Sequence, residues 1–158
     1  MRLGITGHRG LPEAVARRVR AALAAVVSGY DPNELVGVSC LADGPDSWFA
    51  EAVLDHGGRL EAVIPAADYR AGLPEPHRGT YDALLGRARE VHTTGLTESD
   101  SRAHQTGSEA LVDTVDLLVA VWDGLPARGF GGTAEAVANA ERTVVPCTII
   151  WPPGATRD

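Results

Sequence analysis

Short apolar runs alternate with stretches of helical periodicity along the whole chain. "RLGIT" (2–6) reads as a first strand. In "EAVARRVRAALAAVV" (13–27), Val15, Val19, Leu23, Val26 and Val27 share one helical face, with Pro12 at the helix start. "YDPN" (30–33) is a turn signal before a strand "ELVGV" (34–38). "SCLADGPDSWFAEAV" (39–53) then runs through small residues into a helix that turns Trp48, Phe49, Ala52 and Val53 inward, ending at "GG" (57–58). A third strand spans 59–65. Residues 66–79, rich in Pro and Gly and without periodicity, read as a long ordered loop or lid. Beyond it come a helix over Tyr81, Leu84, Leu85 and Ala88, a weak strand (90–94), and a helix from about Ser101 to Thr114. A strongly apolar strand (116–122), a loop (123–132), a helix (133–141) and a last strand (143–151) complete the pattern. Residues 152–158 read as a loosely held tail on one domain, 1–151.

Near-continuous apolar strands separated by helices imply a parallel sheet covered on both faces. With right-handed crossovers the result is an α/β fold: a three-layer, doubly wound, mostly parallel, Rossmann-like sheet. In such sheets ligands collect outside the carboxyl ends of the strands, so the loops there are the candidate site.

Three of those loops carry glycine and lead into a helix. In "TGHRGLP" (6–12), Gly7 gives a close backbone approach, His8 a switchable donor and Arg9 a charged contact suited to an anion. A plain strand-to-helix turn with solvated His8 and Arg9 explains the same residues. In the 39–53 stretch, Ser39 and Gly44 shape the entry, while Asp46 is either a helix cap, as Ser47 could be, or an acceptor for sugar hydroxyls. Trp48 and Phe49 read as core. In "DGLPARGFGGTAEAV" (123–137), Gly131 and Gly132 open a helix, with Thr133 as its cap. Glu135 is either a carboxylate at the positive helix end or a proton acceptor beside a leaving base. Asp123 ties down the loop or touches the ligand. Arg102 and His104 either face the same edge or lie on a solvated first turn capped by Asp100 or Ser101.

Composition narrows the chemistry. Every one of the 14 basic residues is arginine, so a lysine Schiff base and a Walker lysine are excluded. The net charge of −7 disfavours a general nucleic-acid surface, which needs basic side chains to displace counterions. No apolar run approaches the ~20 residues of a membrane span. The cysteines, Cys40 and Cys147, have no metal-ligand spacing and suit a reducing cytoplasm. No metal and no cofactor are expected.

"ITGHR" (5–9), "SCLADGPDSWFA" (39–50) and "GGTAE" (131–135) together resemble the SLOG superfamily. That Rossmann-like group joins the DNA-processing SMF/DprA proteins with the "lonely guy" phosphoribohydrolases. Ser39, Ala42, Gly44 and Asp46 match the Ser-Gly-x-Ala-x-Gly-x-Asp signature of the first branch, with Cys40 in place of its first glycine. "GGTAE" is similar to the glycine-rich Thr-x-x-Glu element of the second, although Glu135 follows Thr133 by two residues instead of three. The Arg-Lys pair of that branch falls on Gly107 here. The resemblance implies a small nucleotide or nucleotide-derived ligand, with N-glycosidic hydrolysis through Glu135 as the alternative. A homodimer is compatible with it and with the apolar helix faces.

Overall fold

A computed structural model describes residues 1–126 and 132–157. Six strands, β1 (Arg2–Gly7), β2 (Val36–Ser39), β3 (Arg59–Ile64), β4 (Glu90–Thr93), β5 (Leu117–Val121) and β6 (Cys147–Ile150), form one sheet in the order β4-β3-β2-β1-β5-β6. Every pair is parallel. The chain winds outward from β1 to β4, then returns to β5 on the other side of β1. The winding therefore reverses between β1 and β5, where neighbouring loops part and leave a crevice.

The layers follow from alternation along the central strands. Leu3, Ile5, Val119 and Val121 point to one face, against Val19, Leu23 and Val27 of α1 (Glu13–Ser28) and Phe49 and Val53 of α2 (Pro45–Asp55). Val38, Val63 and Leu118 point to the other, against Leu111 and Val112 of α5 (Ser101–Asp113) and Ala140 of α6 (Thr133–Arg142). No helix among the described residues is long and apolar enough to cross a membrane.

Three stretches depart from the sequence pattern. Residues 66–79, expected as a loop, contain α3 (Tyr69–Gly72) and the start of α4 (Glu75–Gly86). Pro74 and Pro76 are no obstacle there, because first-turn amides have no partner within the helix. Tyr69, Leu73, Tyr81 and Leu84 bury together against Leu60, Ala62 and Ile64. The last strand starts at Cys147, not at residue 143, since the Val145 amide still bonds the Ala140 carbonyl and closes α6. Val144 there takes φ +60 and is exposed, a conformation costly for a β-branched residue. The tail folds back: Ala155 packs on the core beneath α1, its carbonyl accepts from Trp151 Nε1 at 3.1 Å, and Arg157 reaches Asp123.

Across β1 to β4, at the end of the sheet away from the strand-end loops, lies a buried ion cluster. Glu61, 2% exposed, accepts from Arg2 at 2.7 and 3.0 Å, Arg89 at 2.6 Å and His92 at 3.2 Å. Arg2 also binds the Thr114 carbonyl at 2.6 Å, anchoring the end of α5 to the first strand. The Arg2 hydrogen bonds lead the arginines in holding the Glu61 carboxyl down at about 2, against the opposing effect of burial.

Candidate functional site

A cavity of about 520 Å³ opens at the carboxyl ends of the central strands, at the reversal between β1 and β5. Its floor is Ile5, Thr6 and Gly7 of β1. One wall carries Cys40, Ala42 and Asp46, with Tyr69 and Pro65 beyond. α5 contributes Ser101, His104 and Ser108, and the start of α6 contributes Gly132 and Thr133. His8, Arg9 and the tail residue Arg157 complete the rim.

The β1–α1 turn is placed by packing. A Cβ on Gly7 would stand 2.7 Å from Pro45 Cβ and 3.0 Å from Val121 Cβ, so only glycine lets α2 and β5 close on this strand end. His8 is buried, with Nε2 3.1 Å from Asp123 Oδ1 and 3.2 Å from the Asp123 amide nitrogen. Its ring meets Trp151 edge-on at 5.8 Å. Asp123 also accepts from Arg157 Nε at 2.5 Å and from the Leu125 amide at 2.9 Å. Burial opposes ionisation of Asp123 most strongly, yet these hydrogen bonds outweigh it and keep the carboxyl below its usual range. Asp123 therefore ties His8, the loop and the tail together behind the cavity wall. Arg9 pairs with Asp43 at 2.6 Å on the rim.

The β2–α2 wall is more strained. Leu41 is fully buried at φ +59, a position that side chains rarely adopt. Its amide donates to Ser39 Oγ at 3.0 Å, while Ser47 Oγ and His77 Nε2 approach its carbonyl at 3.4 and 2.9 Å. Ser39, fully buried, also donates to the Asp46 carbonyl at 2.9 Å. Gly44 caps α2 from φ +90, ψ −139, backbone open to glycine alone. Ser39 and Gly44 thus shape the wall from behind and do not line the cavity. Neither Asp46 nor Ser47 caps α2: Asp46 accepts from the Ala42 amide, outside the helix, at 3.4 Å. Thr133 is likewise the first helical residue of α6 and not its cap, which is Gly132.

The remaining candidates separate. Glu135 lies with Gln105, Glu109 and Asn139 in a shallow dent between α5 and α6, outside the cavity. Arg102 is exposed on the first turn of α5, which Asp100 caps by accepting from the Ala103 amide at 2.8 Å. Gly131 lies outside the described residues. Trp48 sits under Arg20, 4.8 Å from its ring centre, away from the site. Gly107 meets Pro65, where a Cβ would stand 2.9 Å from the ring; its smallness seats α5 beside the cavity.

Tyr69 and Arg157 were not singled out by the sequence, because a Pro/Gly-rich stretch and a tail give no periodic signal. His104 does reach the cavity. Burial, followed by the charge of Arg9, pushes its imidazole below the usual range, and Nε2 lies 2.9 Å from Ser99 Oγ. Asp46 is pushed the opposite way, up to about 7, chiefly by burial, with the Ala42 amide and Arg9 opposing and Asp43 adding to the rise.

These features define a doubly wound α/β domain with a cavity at the topological reversal. No protein-family model matches the chain, and no curated protein matches it. Solved structures do. DNA processing protein A from Streptococcus pneumoniae superimposes with a TM-score of 0.69 at 18% identity, over 97% of this chain and 51% of that one. The Helicobacter pylori protein of the same name, described by its single-stranded DNA binding mode, gives 0.72 at 13% identity over 99% and 68%. The molybdenum cofactor binding protein of Rippkaea orientalis gives 0.62 at 14% over 94% and 74%. The chain spans about half the length of the S. pneumoniae protein. The chain shares a Rossmann-like fold with these proteins.

Proposed function

We propose that this chain binds a nucleotide or a nucleotide-derived small molecule in the strand-end cavity. The observation that carries the reading is the convergence of His8 and Arg9, Thr133, and Arg157 from three separate segments on one cavity. A guanidinium has five donors, and among the described residues the pairs of Arg9 and Arg157 use two of each. A charged hydrogen bond contributes ~1.5–3 kcal/mol, so a few of them support micromolar binding of a phosphate. A volume of about 520 Å³ suits a mononucleotide-sized ligand. Single-stranded DNA, bound by the H. pylori neighbour, fits the net charge of −7 less well.

Gly132 tests the placement. Its backbone, φ −81 and ψ −179, suits any residue, so Gly132→Arg is expected to keep the fold, checked by circular dichroism, while placing a long side chain at the cavity. Calorimetry with a panel of nucleoside monophosphates is expected to show at least tenfold weaker binding to the variant; unchanged affinity would remove the ligand from this cavity. Chromatography of the AMP samples reports any base release. Asp46 is the one carboxylate among the described lining residues, so release through Glu135 has no support in the geometry.

A further inference from the structure

Asp46 stands in the cavity wall in an unusual state. It lies at the start of α2 with burial enough to disfavour its charge, yet the one hydrogen bond its carboxylate makes among the described residues is the long 3.4 Å contact from the Ala42 amide. Arg9, the nearby cation, is held by Asp43 instead. Asp46 is half-buried, exposed on the cavity side, and polar groups buried to that extent within the fold are ordinarily held by well-formed hydrogen bonds. A carboxylate left this way, facing an open cavity, calls for donors supplied by a ligand.

The surroundings say which donors. The groups facing Asp46 are Arg9 from the β1–α1 turn, Cys40 and Asp43 from its own loop, Tyr69 from α3 and, across the cavity, His104 from α5. Arg9 exerts its charge on Asp46 and His104 together, which makes a cationic ligand group unwelcome beside them. Cys40 and Tyr69 are both pushed up by burial and stay uncharged at neutral pH. Two neutral hydroxyls on adjacent carbons offer paired donors to the two oxygens of one carboxylate without adding charge. We propose that Asp46 recognises a vicinal diol on a phosphorylated sugar, binds it as the carboxylate, and loses a proton to bulk solvent as the diol docks. The inference rests on the anion-seat reading above and adds both the sugar's identity and a proton to it.

The experiment compares AMP with 2′-deoxy-AMP, with inorganic phosphate as the anion alone. Calorimetry at pH 7 in two buffers of different ionisation enthalpy reads affinity and proton release together. The two nucleotides share their phosphate titration, so the difference between them isolates the diol. The wild-type protein is expected to bind AMP about tenfold or more tightly than 2′-deoxy-AMP, to release additional protons only with AMP, and to widen the gap from pH 6 to pH 8. Asp46→Asn is expected to abolish the gap and the additional protons while keeping the 2′-deoxy-AMP affinity within about twofold. His104 titrates lower and remains in the variant, so a pH effect that survives Asp46→Asn belongs to His104 and overturns the assignment. Equal affinity of the wild type for both nucleotides overturns it as well, leaving the anion seat standing. Failure of AMP, 2′-deoxy-AMP and phosphate alike to bind overturns both readings.

Discussion

Glu61→Gln is expected to lower the unfolding free energy by about 3 kcal/mol at pH 7, read as a fall in the guanidinium midpoint at unchanged slope. Glu61 is 2% exposed and gathers Arg2 from β1 and both Arg89 and His92 from the β4 segment. A glutamine keeps the shape but offers one acceptor oxygen where the carboxylate offers two, and it turns an amide donor toward the guanidinium groups. The arginines are partly exposed, at 32% and 43%, so water recovers part of the loss, and the lower end of the range for a broken buried pair applies.

The pH dependence has a definite sign. The carboxyl is held at about 2 in the folded chain against 4.5 ordinarily, so the unfolded state binds the proton first as pH falls. Its contribution is complete above about pH 4.5 and disappears as pH drops toward 2. Stability of the wild type is therefore expected to decline across that window more steeply than stability of Glu61→Gln, with the two curves converging near pH 2. Parallel curves would show that the cluster contributes no linked stability. Glu61, Glu90 and His92 also lie close enough together to hold a metal ion, but two arginines already occupy Glu61, and their charge opposes a cation there.

Gly7→Ala is the second large effect. The added methyl would stand 2.7 and 2.8 Å from Pro45 and 3.0 Å from Val121. Pro45 belongs to the first turn of α2 and has no flexible end to withdraw, so the helix start itself must move. Overpacking of this kind costs about 1–3 kcal/mol, and the displacement carries Asp46, the next residue, with it. The expected result is a lower thermal midpoint together with at least tenfold weaker AMP binding. A variant as stable as the wild type, with full affinity, would show that the strand end and α2 are not locked together here.

The fold was readable because its information is local. Strands such as 116–122 are apolar throughout, and the helix face of Val15, Val19, Leu23 and Val27 repeats at helical spacing, so a parallel sheet between helices was the consistent reading. Where tertiary packing decided, the pattern was misleading. Pro74 and Pro76 looked like loop residues, yet they open α4, because Tyr81 and Leu84 bury against β3. Val144 looked like strand, but it ends α6.

The site was readable only as a set of loops. That the turns after β1, β2 and β5 would meet followed from topology alone. Which of their side chains enter the cavity depended on contacts between distant segments. Ser39 looked like a ligand residue because it opens a glycine-containing turn; it faces inward to hold Leu41. Glu135 looked catalytic from its place after Thr133, yet the helix turns it toward α5. Arg157 could not be foreseen, since its position depends on a tail that returns to Asp123 across 34 residues.

Two-dimensional NMR of the ¹⁵N-labelled chain titrated with nucleoside monophosphates tests the central claim most directly. Saturable shifts are expected at Gly7, His8, Arg9, Asp46, Thr133 and Arg157, with Glu90 to Thr93 at the far sheet edge unmoved. Shifts confined to that edge, or no saturable shift with AMP, GMP, CMP or UMP, would contradict the account.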